Sequence, residues 1–224
     1  MNKEWSALNK IMQSLIGKEK TFRAGIDSLF ELRNQLMETL LSFRKTLERK
    51  DFDAIPFINS KGFCCKTIAY SIWHIFRIED IVAHTLISDD EQIFFSGKYQ
   101  AIIKSPIITT GNELEKMQIA DFSRQLDIGG LYSYALAVKN STEVIVRNMP
   151  YAMLKMNIPQ ERRKKLKLLN TVSTDEKACW LIDYWLGKDI RGLIQMPFSR
   201  HWIMHTEACL KIKDKICYIR RKTL

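Results

Sequence analysis

Glycine and proline are scarce in this chain, nine and five among 224 residues. That leaves too few turns for a many-stranded sheet and points to long regular elements. No apolar run reaches the roughly 18 residues that span a bilayer. The opening MNKEWSALNK lacks the apolar stretch of a secretory signal. The expectation is a soluble, cytoplasmic protein that does not insert in a membrane. The five cysteines, at 64, 65, 179, 209 and 217, are odd in number and show neither C-x-x-C nor zinc-knuckle spacing. A disulfide framework is not expected, and the thiols should be reduced and packed as small apolar groups. Histidine is rarer still, at four residues, so each can be weighed separately.

The charge that is present is mostly positive. The formal net charge is +10, with basic residues gathered at 161–169 (ERRKKLKLL) and 211–224. Such a surface favours polyanions, but basic runs are commonly solvated faces or tails. No zinc finger, RNP signature or other nucleic-acid motif accompanies them, so nucleic acid is not the expected partner. The length suits one sizeable core, and we read residues 1–224 as a single helical domain with 1–20 as an N-terminal helical extension.

The pattern is helical throughout. An amphipathic helix is expected over 3–16, ending at Gly17, and a long one over 21–49, where Leu29, Leu32, Leu36, Leu40, Phe43 and Leu47 recur at steps of three and four. Pro56 and Gly62 break the pattern. The next helix, 65–87, is apolar around most of its circumference, as a central helix should be. Ser88 is placed to cap a short helix through DDEQIFF. Residues 96–118 have no clean period and carry Gly97, Pro106 and Gly111, which predicts a long crossover. A third long helix is expected over 127–149. Ser173 and Glu176 form an S-x-x-E cap for a helix ended by Gly187, and the last helix begins after Pro197. The fold class is all-α, a bundle with one long mid-chain connection.

Within SRHWIMHTEACLKIKD (199–214), His201 and His205 stand four apart, which is about 40° on a helical wheel. Phe198, Ala208, Cys209, Ile212 and Ile216 share their arc, whereas Arg200, Glu207, Lys211 and Asp214 fall outside it. Both imidazoles therefore face inward, where their nitrogens need partners. The spacing lets both bind one cation; a buried hydrogen-bond network or a chance pairing are the alternatives. His74, in SIWHIFRIED, also faces inward, beside Tyr70, Ile78, Ile81 and Thr85. It is either a satisfied core histidine or a third ligand. His84 shares a narrow polar strip with Lys66, Arg77 and Asp80, and is expected to pair with Asp80 at the surface, outside the site. Glu79 lies towards the apolar side, where an internal ion pair is the natural role.

One histidine on the second long helix and H-x-x-x-H on the last resembles the DinB/YfiT-like superfamily, the damage-inducible proteins of Gram-positive bacteria rather than the polymerase sharing the name. The stretches that carry it are SIWHIFRIEDIVAHTLI and MPFSRHWIMHTEACLKI, and the likeness spans roughly residues 22–217. The resemblance implies an up-up-down-down four-helix bundle, often a homodimer, with a divalent metal held by His74, His201 and His205. Some relatives transfer thiols such as bacillithiol or mycothiol. The helix at 3–16 and the long 88–118 connection depart from small members of that family.

Two functions follow as expectations. One is a metal-dependent hydrolase or low-molecular-weight thiol transferase, with zinc, nickel or iron as the ion and a small molecule, such as a thiol, as substrate. Neither Glu207 nor Asp183 lies on its helix's apolar stripe, so no acid–base residue is named. The other is a non-enzymatic, stress-related binding protein whose basic surface contacts nucleic acid or a protein.

Overall fold

The computed structural model describes residues 2–223, and it is all-α. Among the described residues the single β feature is an isolated bridge between Asn157 and Asp189. Helix α1 (Lys3–Ile16) begins where the Asn2 side chain accepts from the Glu4 and Trp5 amides, satisfying donors that the first turn leaves free. It packs on α2 (Phe22–Thr46) at Gly25, where a Cβ would come within 2.6 Å of the Ile16 nitrogen. Helix α3 (Ile68–Asp80) is capped by Thr67 and continues as a wider π turn over Ile81–Ser88. The crossover carries α4 (Ile93–Ser96), α5 (Tyr99–Ile103) and α6 (Met117–Gln125) before α7 (Ile128–Asn148), which Asp127 caps. Then come α8 (Gln160–Leu169), α9 (Glu176–Leu186), α10 (Ile190–Gln195), a π turn over Met196–Arg200, and α11 (His201–Thr223).

Cross-helix contacts give the directions of the long helices. The Tyr132 hydroxyl donates to the Leu40 carbonyl and Arg23 donates to the Arg147 carbonyl, so α2 and α7 run antiparallel. Tyr134 meets Asp80 and Ser141 meets His84, so α3 and α7 run parallel. His74 faces His201 and His205, while Arg33 reaches Phe198 and Lys213 covers the Phe43 ring. Helix α11 therefore runs with α2 and against α3. In chain order the sense is up, down, down, up, which corrects the expected up-up-down-down order. The cause is the connection over residues 47–67. It turns back at one end, where the Ala69 amide donates to the Phe52 carbonyl, and the length-spanning return is left to the 89–127 crossover.

Three other expectations are corrected. His84 is buried rather than at the surface. Its Nδ1 lies 2.6 Å from Asp90 and its Nε2 3.1 Å from Ser141, with Asp80 only at 4.0 Å. The polar strip of α3 does not face water, because the crossover covers it. Asp80 accepts from the Ile93 and Phe94 amides and from Tyr134, while Arg77 donates to the Ile108 carbonyl at 2.9 Å. The cap of α9 is Asp175, whose carboxylate accepts from the Lys177 amide; Ser173 accepts from the Asp175 amide one step earlier. Ser88 bonds Asp90 rather than capping a helix, and α4 begins only after Gln92. The basic run at 161–169 forms helix α8, of which only Leu166 is buried, in line with the expected solvated face. Three of its cations are paired: Lys165 and Arg162 with Asp89, and Arg163 with Asp183.

One buried ion cluster fixes the start of α11. Arg33 lies on α2, fully buried, and grips Glu79 of α3 through two bonds of 2.9 and 2.7 Å. Its third bond goes to Glu143 on α7 at 3.0 Å, and Lys139 holds that carboxylate in turn. Glu79 also accepts the Trp202 indole N–H at 2.7 Å, and Arg33 donates to the Phe198 carbonyl at 3.1 Å. The internal ion pair expected for Glu79 is thus present. Burial works against the Arg33 charge, but the two carboxylates outweigh it and hold the guanidinium above its usual value. A buried pair like this is a weak source of net stability, but removing either partner strands a charge. Its geometric effect is specific: it ties α2, α3 and α7 to the residues on either side of His201.

Candidate metal centre

The three inward histidines converge. His74 from α3 and His201 and His205 from α11 are all buried, and each offers a ligand nitrogen within 4.8 Å of the others'. Their ring centroids are 5.0, 4.9 and 4.6 Å apart. The i, i+4 spacing places the pair on one face of α11, and antiparallel packing on α3 brings His74 opposite. The π turn at Met196–Arg200 immediately precedes His201. Pro197 there has no N–H for the α ladder, and the turn widens around it.

His74 is oriented by the crossover. Its Nδ1 is 2.7 Å from the Thr110 carbonyl, an acceptor only, so Nδ1 carries the proton and Nε2 keeps a free lone pair. The same loop is held at two further points on α3, since the Tyr70 hydroxyl donates to the Gly111 carbonyl and Arg77 to that of Ile108. Residues 70, 74 and 77 thus lash one strip of crossover along one face. Gly111 has φ +79°, and a Cβ there would stand 3.0 Å from the Tyr70 ring. Tyr70 in turn stacks on His74 with centroids 5.4 Å apart, and Phe63 meets His205 edge-on at 4.8 Å.

The electrostatics favour neutral imidazoles. Burial lowers His74 to about 4, against the opposing effect of its bond to Thr110, with nearby Lys66 adding to the depression. His201 falls well below the ordinary value through burial and then His74, and His205 through burial and then His201, His74 and Lys66. Neutral imidazole is the form that ligates. The hydrogen-bond inventory points the same way: Nδ1 of His201 and both ring nitrogens of His205 are buried with no hydrogen-bond partner among the described residues. Orphaned buried polar atoms are costly. A divalent cation shared by the three rings would take one nitrogen from each and so relieve part of this cost, and the donor set fits a borderline transition ion.

A cavity of about 300 Å³ meets the centre at His74 and His201. Its walls come from α9 (Trp180, Leu181, Tyr184, Trp185), the π turn (Met196, Pro197), Phe63, Ile78 and Met204, with Asn112 from the crossover. Asp183 is exposed and paired with Arg163 at 2.6 Å, and Glu207 accepts from the Asn2 amide; neither carboxylate lines the cavity. The sequence places the helix at 174–186 and the 88–118 crossover as walls of a pocket over the metal, and both line the cavity; it gives no sign of Thr110 or Arg33. Thr110 acts through its backbone and so has no side-chain signal, and Arg33 reads as an ordinary polar residue of an amphipathic helix.

No helix among the described residues is long and apolar enough to cross a membrane. Comparison of the chain with protein-family models, curated proteins and solved structures gives no significant match.

Proposed function

We propose that this protein is a metal-dependent enzyme acting on a small molecule at a divalent ion held by His74, His201 and His205. The observation that carries the proposal is the set of three buried, neutral imidazoles whose unpartnered nitrogens converge beside a cavity. When bound, a zinc, nickel or iron ion with three imidazole ligands supplies an open Lewis-acid position that acidifies a water or a thiol. The chain's own contributions are distinct. Thr110 fixes the tautomer and orientation of His74. The Arg33–Glu79 pair holds the first turn of α11 against α3. The α9 aromatics keep water from the cavity and position a substrate. Of the two chemistries, thiol transfer suits the lining better than hydrolysis, because no carboxylate among the described residues lines the cavity to take a proton from water, whereas a thiol, with an ordinary pKa of about 8.5, would lose its proton to solvent more readily.

The likeness to the DinB/YfiT-like proteins supports the same reading and extends it to a four-helix bundle built from α2, α3, α7 and α11. It further extends it to a homodimer in a bacterial cytoplasm, engaged in a stress response. The test is a panel of thiol-acceptor and ester substrates assayed with metal-loaded protein. Activity that is lost both on chelation and in His205→Ala supports the proposal. Activity that survives both places the chemistry elsewhere, and no activity at all leaves a binding role for the basic surface, whose signature is affinity falling steeply with added salt.

A further inference from the structure

We infer that this centre takes an uncharged, largely apolar ligand, in which one metal-binding head group is joined to an aromatic or branched hydrocarbon body, rather than a hydrophilic anionic thiol. For the head group this rests on the metal reading above; for the body it rests on the cavity alone.

The cavity's volume of about 300 Å³ equals roughly ten water volumes, enough for a molecule with one ring and a short arm. Its floor is His74 and His201, so a donor atom at one end of a ligand reaches the centre. Its sides are aromatic and thioether surface: Trp180, Tyr184 and Trp185 on α9, Phe63, and Met196 of the π turn. Aromatic and sulfur-bearing walls of this kind suit a ring. Trp180 is half exposed, and its N–H is already given to the Lys177 carbonyl at 2.8 Å, so the indole offers the ligand only its apolar face. Asn112 is the one polar side chain in the lining besides the histidines and the Tyr184 and tryptophan tips, among the described residues.

No lysine or arginine among the described residues lines the cavity; the nearby cations lie behind its walls. Lys66 sits over the Tyr70 ring and Lys188 over that of Tyr184, at 5.2 and 4.3 Å from the centroids. Lys177 pairs with Glu115 at 3.0 Å, linking α9 to the crossover on the outside. Carboxylates on the body of a ligand, away from the metal-binding head, would be buried against hydrocarbon with no cationic side chain in the lining, at a cost that an uncharged body avoids. The cavity therefore selects by charge as well as by shape.

The test uses the full chain loaded with Co²⁺ and two thiols with the same head, benzyl mercaptan and mercaptosuccinate, read through the thiolate-to-cobalt absorption band. The expected result is that benzyl mercaptan binds at least about tenfold more tightly, the scale on which apolar pockets discriminate. Trp180→Ala should weaken benzyl mercaptan while leaving mercaptosuccinate affinity and cobalt stoichiometry unchanged. Equal or tighter binding of mercaptosuccinate to the cobalt protein overturns the inference and leaves the metal reading standing. If cobalt does not bind, the metal reading fails separately. The cavity is then probed in the metal-free protein by tryptophan fluorescence with benzyl alcohol against glycolate. Preference for benzyl alcohol upholds the inference, and its absence overturns it.

Discussion

Replacing Glu79 by methionine removes one carboxylate and little volume, yet its consequences should be large. Glu79 is fully buried and accepts three bonds, two from Arg33 and one from the Trp202 indole. In Glu79→Met the Arg33 guanidinium, also fully buried, keeps only Glu143 and the Phe198 carbonyl. Stranding a charge in this way costs about 3–5 kcal/mol, a large part of the ~5–15 kcal/mol that holds a typical fold together. Urea unfolding of metal-free protein gives the loss directly, provided the slope is unchanged. The decisive comparison is Arg33→Met/Glu79→Met. Removing both charges relieves the stranded guanidinium, so the double variant should be more stable than Glu79→Met by about 2 kcal/mol or more. The double variant should still bind metal weakly, since the ties to Phe198 and Trp202 on either side of His201 are gone. A double variant no more stable than Glu79→Met would refute the stranded-charge reasoning, and one with undiminished metal affinity would refute the positioning role.

Gly111→Ala places a Cβ against the Tyr70 ring at a positive φ. It should cost about 1 kcal/mol or more and, by displacing the neighbouring Thr110 carbonyl, lower metal affinity about 10–100-fold in a competition titration. The histidines set a pH dependence. Because burial holds their folded values below the ordinary one, the unfolded chain binds more protons, and metal-free stability is full above about pH 6.5. Stability should fall as the pH drops below that, by up to about 1.4 kcal/mol per pH unit for each histidine, with the His74 contribution levelling off near 4. Urea midpoints across pH 7 to 5 check this, and His201→Ala/His205→Ala should flatten the slope. His205→Ala should leave a folded helical protein by circular dichroism, losing only the few kcal/mol that bound metal adds by mass action.

The helices with strong apolar periodicity were legible in the sequence. The expected 3–16 and 127–149 spans match α1 and α7 to within one residue at each end, because caps and breakers agree there with the period. The inward pair on α11 was legible for the same reason. The wheel of His74 fits a satisfied core histidine equally well; its third-ligand reading came from the inward pair elsewhere and from the family resemblance, and the structure brings it to the pair. What was not legible depends on long-range cover. Arg77, Asp80 and His84 form a polar strip in sequence, and only the crossover lying on α3 makes that strip interior. Helix direction depends on which connection spans the molecule, and loop composition does not say. The Thr110 carbonyl and the two π turns are backbone features that no side-chain pattern encodes.

The central claim is that three histidines hold one metal ion, and a zinc titration of protein purified without an affinity tag tests it most directly. The expected result is one equivalent bound tightly per chain in the wild type, and loss of that site in His74→Ala as well as in His201→Ala and His205→Ala. Wild-type protein that takes up no zinc, cobalt, nickel or iron would contradict it, as would a site that survives removal of His74.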